Sequence, residues 1–211
     1  MFSPVNYKSC LVLFAAGLLS TANYAATKPT TITDFTKATA PAVFSVKSTS
    51  WRDPAFGNLG WTHSSQWGSI NARKGKTVTI TITSQVAGLH PGITVWRRDA
   101  LLDTAPDEYF IDHFYPQRDG VYKIGATDED SGADLGNIIM PIVAYGYDQD
   151  GNTKKVTNLR PIKDGVPGKL IVKFKAPETA VYQFVIGGFN PDTGVDSTVK
   201  HNVEVSVAIS K

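Results

Sequence analysis

The sequence predicts an all-β fold, an antiparallel β-sandwich. Short segments repeat an apolar residue at every second position, glycine and proline clusters separate them, and no segment sustains a helical period. The clearest case is Thr77-Val78-Thr79-Ile80-Thr81-Ile82-Thr83. Successive strand side chains point to opposite faces, so Val78, Ile80 and Ile82 turn toward a core and the threonines away from it.

The other elements follow in order. Thr27 to Pro41 is rich in Thr, Ala and Pro and reads as a flexible arm or a first edge segment. Val43 to Thr49 is a strand, and Asp53-Pro54 and Gly57-Asn58 mark a loop. Extended character resumes over Trp61 to Ile70, and Arg73 to Lys76 turns into the threonine strand. Gly88-Leu89-His90-Pro91-Gly92 reads as a turn before a strand over Ile93 to Arg97. A polar connection from Arg98 to Glu108 leads to Tyr109 to Tyr115, a strand or a short helix. Ile138 to Tyr147 reads as a buried strand, and Pro141 inside it suggests a bend or an edge. Asp148 to Asn152 is a hairpin-type turn. Alternation is regular again over Leu170 to Lys175 and Val203 to Ile209, and Val181 to Ile186 is a strand ended by Gly187-Gly188. Such strands build a sandwich of immunoglobulin-like or copper-carrier-like type.

The first 26 residues are set apart from this fold. Lys8, the apolar run Cys10 to Leu19 and the small-residue zone Ser20 to Ala26 form a secretory leader, with cleavage expected after Ala25 or Ala26. The run is shorter than the roughly 20 residues a spanning helix needs. Residues 27–211 are then one exported domain, long enough to build its own core. Losing Lys8 lowers the formal charge from +2 to +1, which argues against nucleic acid as a partner. Losing the leader also removes Cys10 and Met1, so Met140 is the last sulfur and any metal must take imidazole, carboxylate or backbone ligands.

Four histidines are available: His63, His90, His113 and His201. His63 lies in Trp61-Thr62-His63-Ser64-Ser65-Gln66-Trp67, and His113 in an aromatic stretch, so each is set where rings could wall off a site. In a strand Trp61 and His63 would share a face. His90 sits in the expected turn, and His201 beside Lys200, whose charge disfavours a bound cation. Most isolated histidines are plain surface or hydrogen-bonded residues, and spacing alone does not pair His63 with His113. An intact indole offers a donor and no lone pair to a metal. An indole opened to kynurenine presents an aromatic amine that can ligate.

Trp61-Thr62-His63 resembles the Trp-x-His element of the surface copper-binding proteins of methane-oxidising bacteria, the CorA/MopE group. The chain's size, leader and cysteine-free mature part also resemble the smaller members. The resemblance implies one copper ion held by two histidines and a kynurenine made from the tryptophan. Carried over, Trp61 is the modified ligand, His63 the first imidazole and His113 the second, with His90 as its substitute. It also implies copper acquisition or buffering in the periplasm or at the outer cell surface, a surface or copper-uptake partner protein, and no catalysis.

Asp128-Glu129-Asp130 with Asp134 offers clustered oxygens that suit calcium, and Asp148-x-Asp150-Gly151-Asn152 is partly similar to a calcium loop. An acidic solvated loop is the commoner meaning of such runs. No nucleophile elbow, His-Glu-x-x-His or phosphate-cradling glycine loop is present, which lowers the expectation of an enzyme. The competing reading is an extracellular interaction or carbohydrate-binding module in which Trp51, Trp61 or Trp67 stacks on sugar rings. A copper-dependent oxidative enzyme is a third reading, and it needs an open redox-cycling site.

Overall fold

The computed structural model describes residues 25–28, 31–52, 54, 64–111, 120–152, 160–189 and 194–210. The described strands are β1 (Ala25–Thr27), β2 (Ile32–Asp34), β3 (Ala42–Lys47), β4 (Gln66–Ala72), β5 (Thr77–Ser84), β6 (His90–Arg97) and β7 (Phe110–Ile111). They continue as β8 (Gly120–Asp128), β9 (Asp134–Asp148), β10 (Pro161–Ile162), β11 (Lys169–Lys175), β12 (Ala180–Phe189) and β13 (Lys200–Ser210). The smaller sheet runs β11-β5-β13-β3. The larger runs β2-β4-β12-β6-β9-β8-β1-β7, with β10 also paired to β9. Among the described residues no helix is long and apolar enough to cross a membrane.

Alternation places the main core between the sheets. Val78, Ile80 and Ile82 of β5 are fully buried there, against Ile93 and Val95 of β6 and Phe184 and Ile186 of β12. Full burial of each such side chain is worth roughly 1.5–3 kcal/mol. The opposite residues of the same large-sheet strands are buried too. Trp67 of β4, Trp96 of β6 and Val185 of β12 form a second cluster with Phe110, Ile111, Val121 and Met140. The sandwich therefore carries a further layer on the outer face of its larger sheet, closed by β7, β8 and the 98–111 connection.

Several local expectations are corrected. His90 is the first residue of β6, not part of a turn, and is buried. Gly187 and Gly188 do not end β12, which runs on to Phe189. Their lack of a side chain admits the chain that follows β3: a Cβ would lie 2.5 Å from Ser50 Oγ at Gly187 and 2.5 Å from Ser48 Cα at Gly188. Asp148–Asn152 does not close a hairpin, because β10 pairs with the end of β9 in parallel. The expected bend at Pro141 is a change of partner: β8 pairs through Pro141, and β6 pairs from Ile142 onward with a register shift at Val95/Trp96. Trp51 and Trp67 are 1 % and 5 % exposed, so neither offers a face to a sugar ring.

Candidate metal-binding region

Trp61, His63 and His113 lie outside the described residues. What the structure defines is how the chain is held on either side of them. Ser64, next after His63, accepts a hydrogen bond through its carbonyl from the Lys47 amide at 3.4 Å. Ser65 Oγ donates to the Ser50 carbonyl at 2.8 Å, and Gln66 Oε1 accepts from the Ser45 amide. Three consecutive residues thus tie the start of β4 to β3 and the segment after it.

Trp67 then turns into the second cluster. Its ring centroid is 3.8 Å from that of Phe110 at a 40° tilt, and 5.4 Å from that of Trp96, nearly stacked at 22°. Phe110 belongs to β7, which pairs with β1 through Ala26 and Thr27. The strand entered from Trp61–His63 and the strand leaving toward His113 therefore meet in one aromatic contact. Trp96 Nε1–H is buried beside it and has no hydrogen-bond partner among the described residues. A buried donor of this kind normally finds an acceptor.

The two described histidines are both engaged. His90 Nδ1 is 2.9 Å from Asp148 Oδ2, with the His90 side chain 6 % and the Asp148 side chain 0 % exposed. The Gly168 amide donates to the same oxygen at 2.7 Å, and the Asp150 amide donates to Oδ1 at 2.9 Å. Asp148 is thus the centre of a tie between β6, β9 and the loop before β11, and His90 is the β6 partner in it. His201 Nε2 is 2.9 Å from the Asp196 carbonyl oxygen. Among the described residues no group of three or more His, Cys, Asp or Glu could hold a metal ion.

The two acidic segments considered for calcium are built as turns. Asp128 Oδ1 accepts from the Ser131 amide and hydroxyl, both at 2.7 Å, and Asp134 Oδ1 accepts from the Gly136 amide at 2.8 Å. The Ser131 bonds hold the Asp128 carboxyl below the ordinary carboxylate range. Asp150 Oδ2 accepts from the Asp164 and Gly165 amides at 2.7 and 2.8 Å.

One buried polar cluster was not legible in the sequence. The Arg98 side chain, 3 % exposed, donates to Asp103 Oδ1 at 2.7 Å and to the carbonyls of Tyr109 at 2.8 Å and Ala105 at 3.2 Å. Burial pushes the Asp103 carboxyl up, although Arg98 pulls it down. The arginine fixes the path of the connection that delivers Phe110. Beside it lies a cavity of about 580 Å³ lined by Arg73, Arg98, Asp99, Asp103 and Asp107 among others. Among the described residues no histidine lines it, and Ala105, which does, belongs to the same buried cluster as Trp67 and Phe110. Only the doubled arginine, Arg97-Arg98, at the end of a β-strand pattern signals this cluster.

Fold and site together define a β-sandwich in which the Trp67–Phe110 contact joins β4 to β7. The sequence profile of the copper(I)-binding protein CorA-like family matches residues 23–196, and the chain belongs to that family. The surface-associated copper-binding protein CorA, important in copper acquisition by Methylomicrobium album BG8, is 36% identical. Its structure matches with a TM-score of 0.74, over 87% of this chain and 99% of that one. The secreted protein MopE of Methylococcus capsulatus, in which an oxidised tryptophan facilitates copper binding, shares the fold at 17% identity. That match has a TM-score of 0.56 and covers 88% of this chain and 92% of that one. No curated protein matches the chain.

Proposed function

We propose that this protein binds one copper ion outside the cytoplasm through His63, His113 and an oxidised Trp61, and serves copper acquisition or buffering. The reading rests on family membership across residues 23–196, a span that includes all three residues. The Trp67–Phe110 contact supports the pairing. His63 is four residues from Trp67 and His113 three from Phe110. Only short stretches of chain therefore separate the two histidines from the residues of one contact. The burial of His90, 4 % exposed at the first position of β6, supports His113 over His90 as second imidazole.

The residue types suit copper. Imidazole and an aromatic amine are nitrogen ligands of the kind that soft or borderline cations take. The copper-binding relatives are described as surface-associated or secreted, in line with the leader read at residues 1–26, so the site faces an oxidising space. They are described as copper-binding proteins, and the role proposed here is carriage without turnover. A surface or uptake protein that receives the copper completes the reading.

The test is metal analysis with peptide mass spectrometry on protein from its native host. The expected result is about one copper per chain, as the two imidazoles and amine would hold, with a kynurenine mass at Trp61. Stoichiometric copper retained by His63→Ala would overturn the assignment.

A further inference from the structure

β13 is covered unequally by its two neighbours. β5 pairs with it from Val203 to Ser210, whereas β3 pairs with it only from Lys200 to Val205. The shorter ladder stops for a sequence reason. Pro41 stands just before Ala42, the partner of Val205, and a proline has no N–H to donate to a ladder. Ser206 to Ser210 are therefore paired on one edge, and among the described residues no backbone group bonds to the other. Every second residue of an antiparallel strand points its N–H and C=O to the same side, so this open edge is an unfilled template.

Edges of this kind are ordinarily blunted by lysine, proline or a bulge. β11, at the opposite edge of the same sheet, carries Lys169, Lys173 and Lys175. Ser206-Val207-Ala208-Ile209-Ser210 carries no charge and no proline, and its register with β5 runs without a shift. Its core-facing residues are also the ones left uncovered. Val203 and Val205 are buried, Val207 is only partly buried, and Ile209 is 40% exposed although it stands opposite the fully buried Val78.

The stretch reads almost the same from either end. Antiparallel pairing with a second copy about Ala208 sets Ser206 against Ser210, Val207 against Ile209, and Ala208 against itself. Two constraints select that register. Val205 is taken by Ala42, and Ser210 is the last residue of β13, so Ser206 against Ser210 is the longest match two copies allow. It also keeps Val207 and Ile209 of both copies on the core side, where a slip by one residue would turn one copy's pair outward.

We propose that this edge is the interface of a symmetric dimer, in which β13 pairs with β13 of a second copy and the two smaller sheets become continuous. The second copy supplies the cover that β3 stops short of giving, and Val207 and Ile209 of each copy shield those of the other. The matched stretch is about 14 Å long from end to end, so the dimer is reversible and forms as concentration rises.

Cysteine cross-linking tests the register, because Cys10, in the leader read from the sequence, is the only cysteine of the chain. Single-cysteine variants of the mature chain are oxidised and their disulfide-linked dimers counted. Ala208→Cys is expected to link, since the twofold pair sets its Cα atoms about 4.5–5.5 Å apart, within disulfide reach. Ser206→Cys alone and Ser210→Cys alone are expected not to, because each is about 14 Å from its own counterpart. A mixture of the Ser206→Cys and Ser210→Cys chains links again. All three positions alternate with the core-facing Val207 and Ile209, so the core of each copy is left as it is. In sedimentation velocity the unsubstituted mature chain shows a dimer fraction that rises with concentration. Ala208→Lys sets two ammonium groups face to face and weakens association about fivefold. An unsubstituted chain that stays monomeric at millimolar concentration overturns the proposal. So does Ser206→Cys linking as readily as Ala208→Cys, or self-association that Ala208→Lys leaves unchanged.

Discussion

The rings of Trp67 and Phe110 meet with centroids 3.8 Å apart, joining β4 to β7 across 43 residues of chain. Trp96 lies against the same indole, so the contact is buried on every described side. Phe110→Ala removes one wall of it. The expected cost is about 3–5 kcal/mol of folding stability. Copper affinity falls as well, although Phe110 is no ligand, because the contact holds the two flanking segments together. Phe110→Leu, which keeps most of the volume, retains more of both. Denaturant unfolding and copper titration of the two variants measure this. Full copper affinity in a folded Phe110→Ala protein would remove the positioning role.

His90 and His63 should separate cleanly. His90→Ala leaves the Asp148 carboxylate buried with its amide donors and without its imidazole. Removing one partner of a buried pair costs about 3–5 kcal/mol. Copper stoichiometry is expected to remain. His63→Ala does the reverse, losing copper with little change in unfolding midpoint. The two readouts, chemical denaturation and bound metal, are scored on both variants. Copper lost from a still-folded His90→Ala chain would make His90 the ligand.

The β5 and β11 strands were legible because each buries one face only. Val78, Ile80 and Ile82 alternate with threonine, and the structure keeps that alternation. The segment around Gly187-Gly188 was misread because glycine breaks strands in general, while here it admits the Ser48–Trp51 backbone. Trp51 and Trp67 were misread as surface platforms because the large sheet buries both faces. A two-layer sandwich pattern does not foresee that third layer. The pairing of His90 with Asp148 joins residues 58 apart, and no local pattern encodes it. The Trp-x-His element was readable as a resemblance, not as geometry.

The first strand predicts where the leader ends. Ala26 is fully buried, Ala25 pairs with Thr127, and the Ala26 carbonyl accepts from the Glu129 amide at 3.0 Å. Cleavage after Ala25 or Ala26, as the leader pattern alone suggests, would remove Ala25 or both alanines from β1 and with them its pairing to β8. Ser20-Thr21-Ala22 supplies small residues at the spacing that leader peptidases take. N-terminal sequencing of the exported protein is expected to read Asn23 first. A mature terminus at Thr27 would show that β1 contributes nothing to the exported fold.

Arg98 and Asp103 form the pair on which the 98–111 connection depends, both side chains being 3 % exposed. Asp103→Ala strands the guanidinium and is expected to cost about 3–5 kcal/mol, whereas replacing both residues by apolar ones of similar volume is nearly neutral. The pH dependence has two opposed parts. Burial raises the Asp103 carboxyl above its ordinary value, so its contribution to stability is present at low pH and is lost as pH rises through the raised value. Asp99 is held low, chiefly by the Leu102 and Leu101 amides, so its contribution is present above the ordinary carboxylate range and lost as pH falls through the lowered value. Asp99→Asn should therefore flatten the acid limb of a stability–pH curve, while Asp103→Asn flattens the limb above the ordinary carboxylate range. Urea titrations across the acidic range check both. An acid limb unchanged in Asp99→Asn would mean that the turn amides do not hold that carboxyl low.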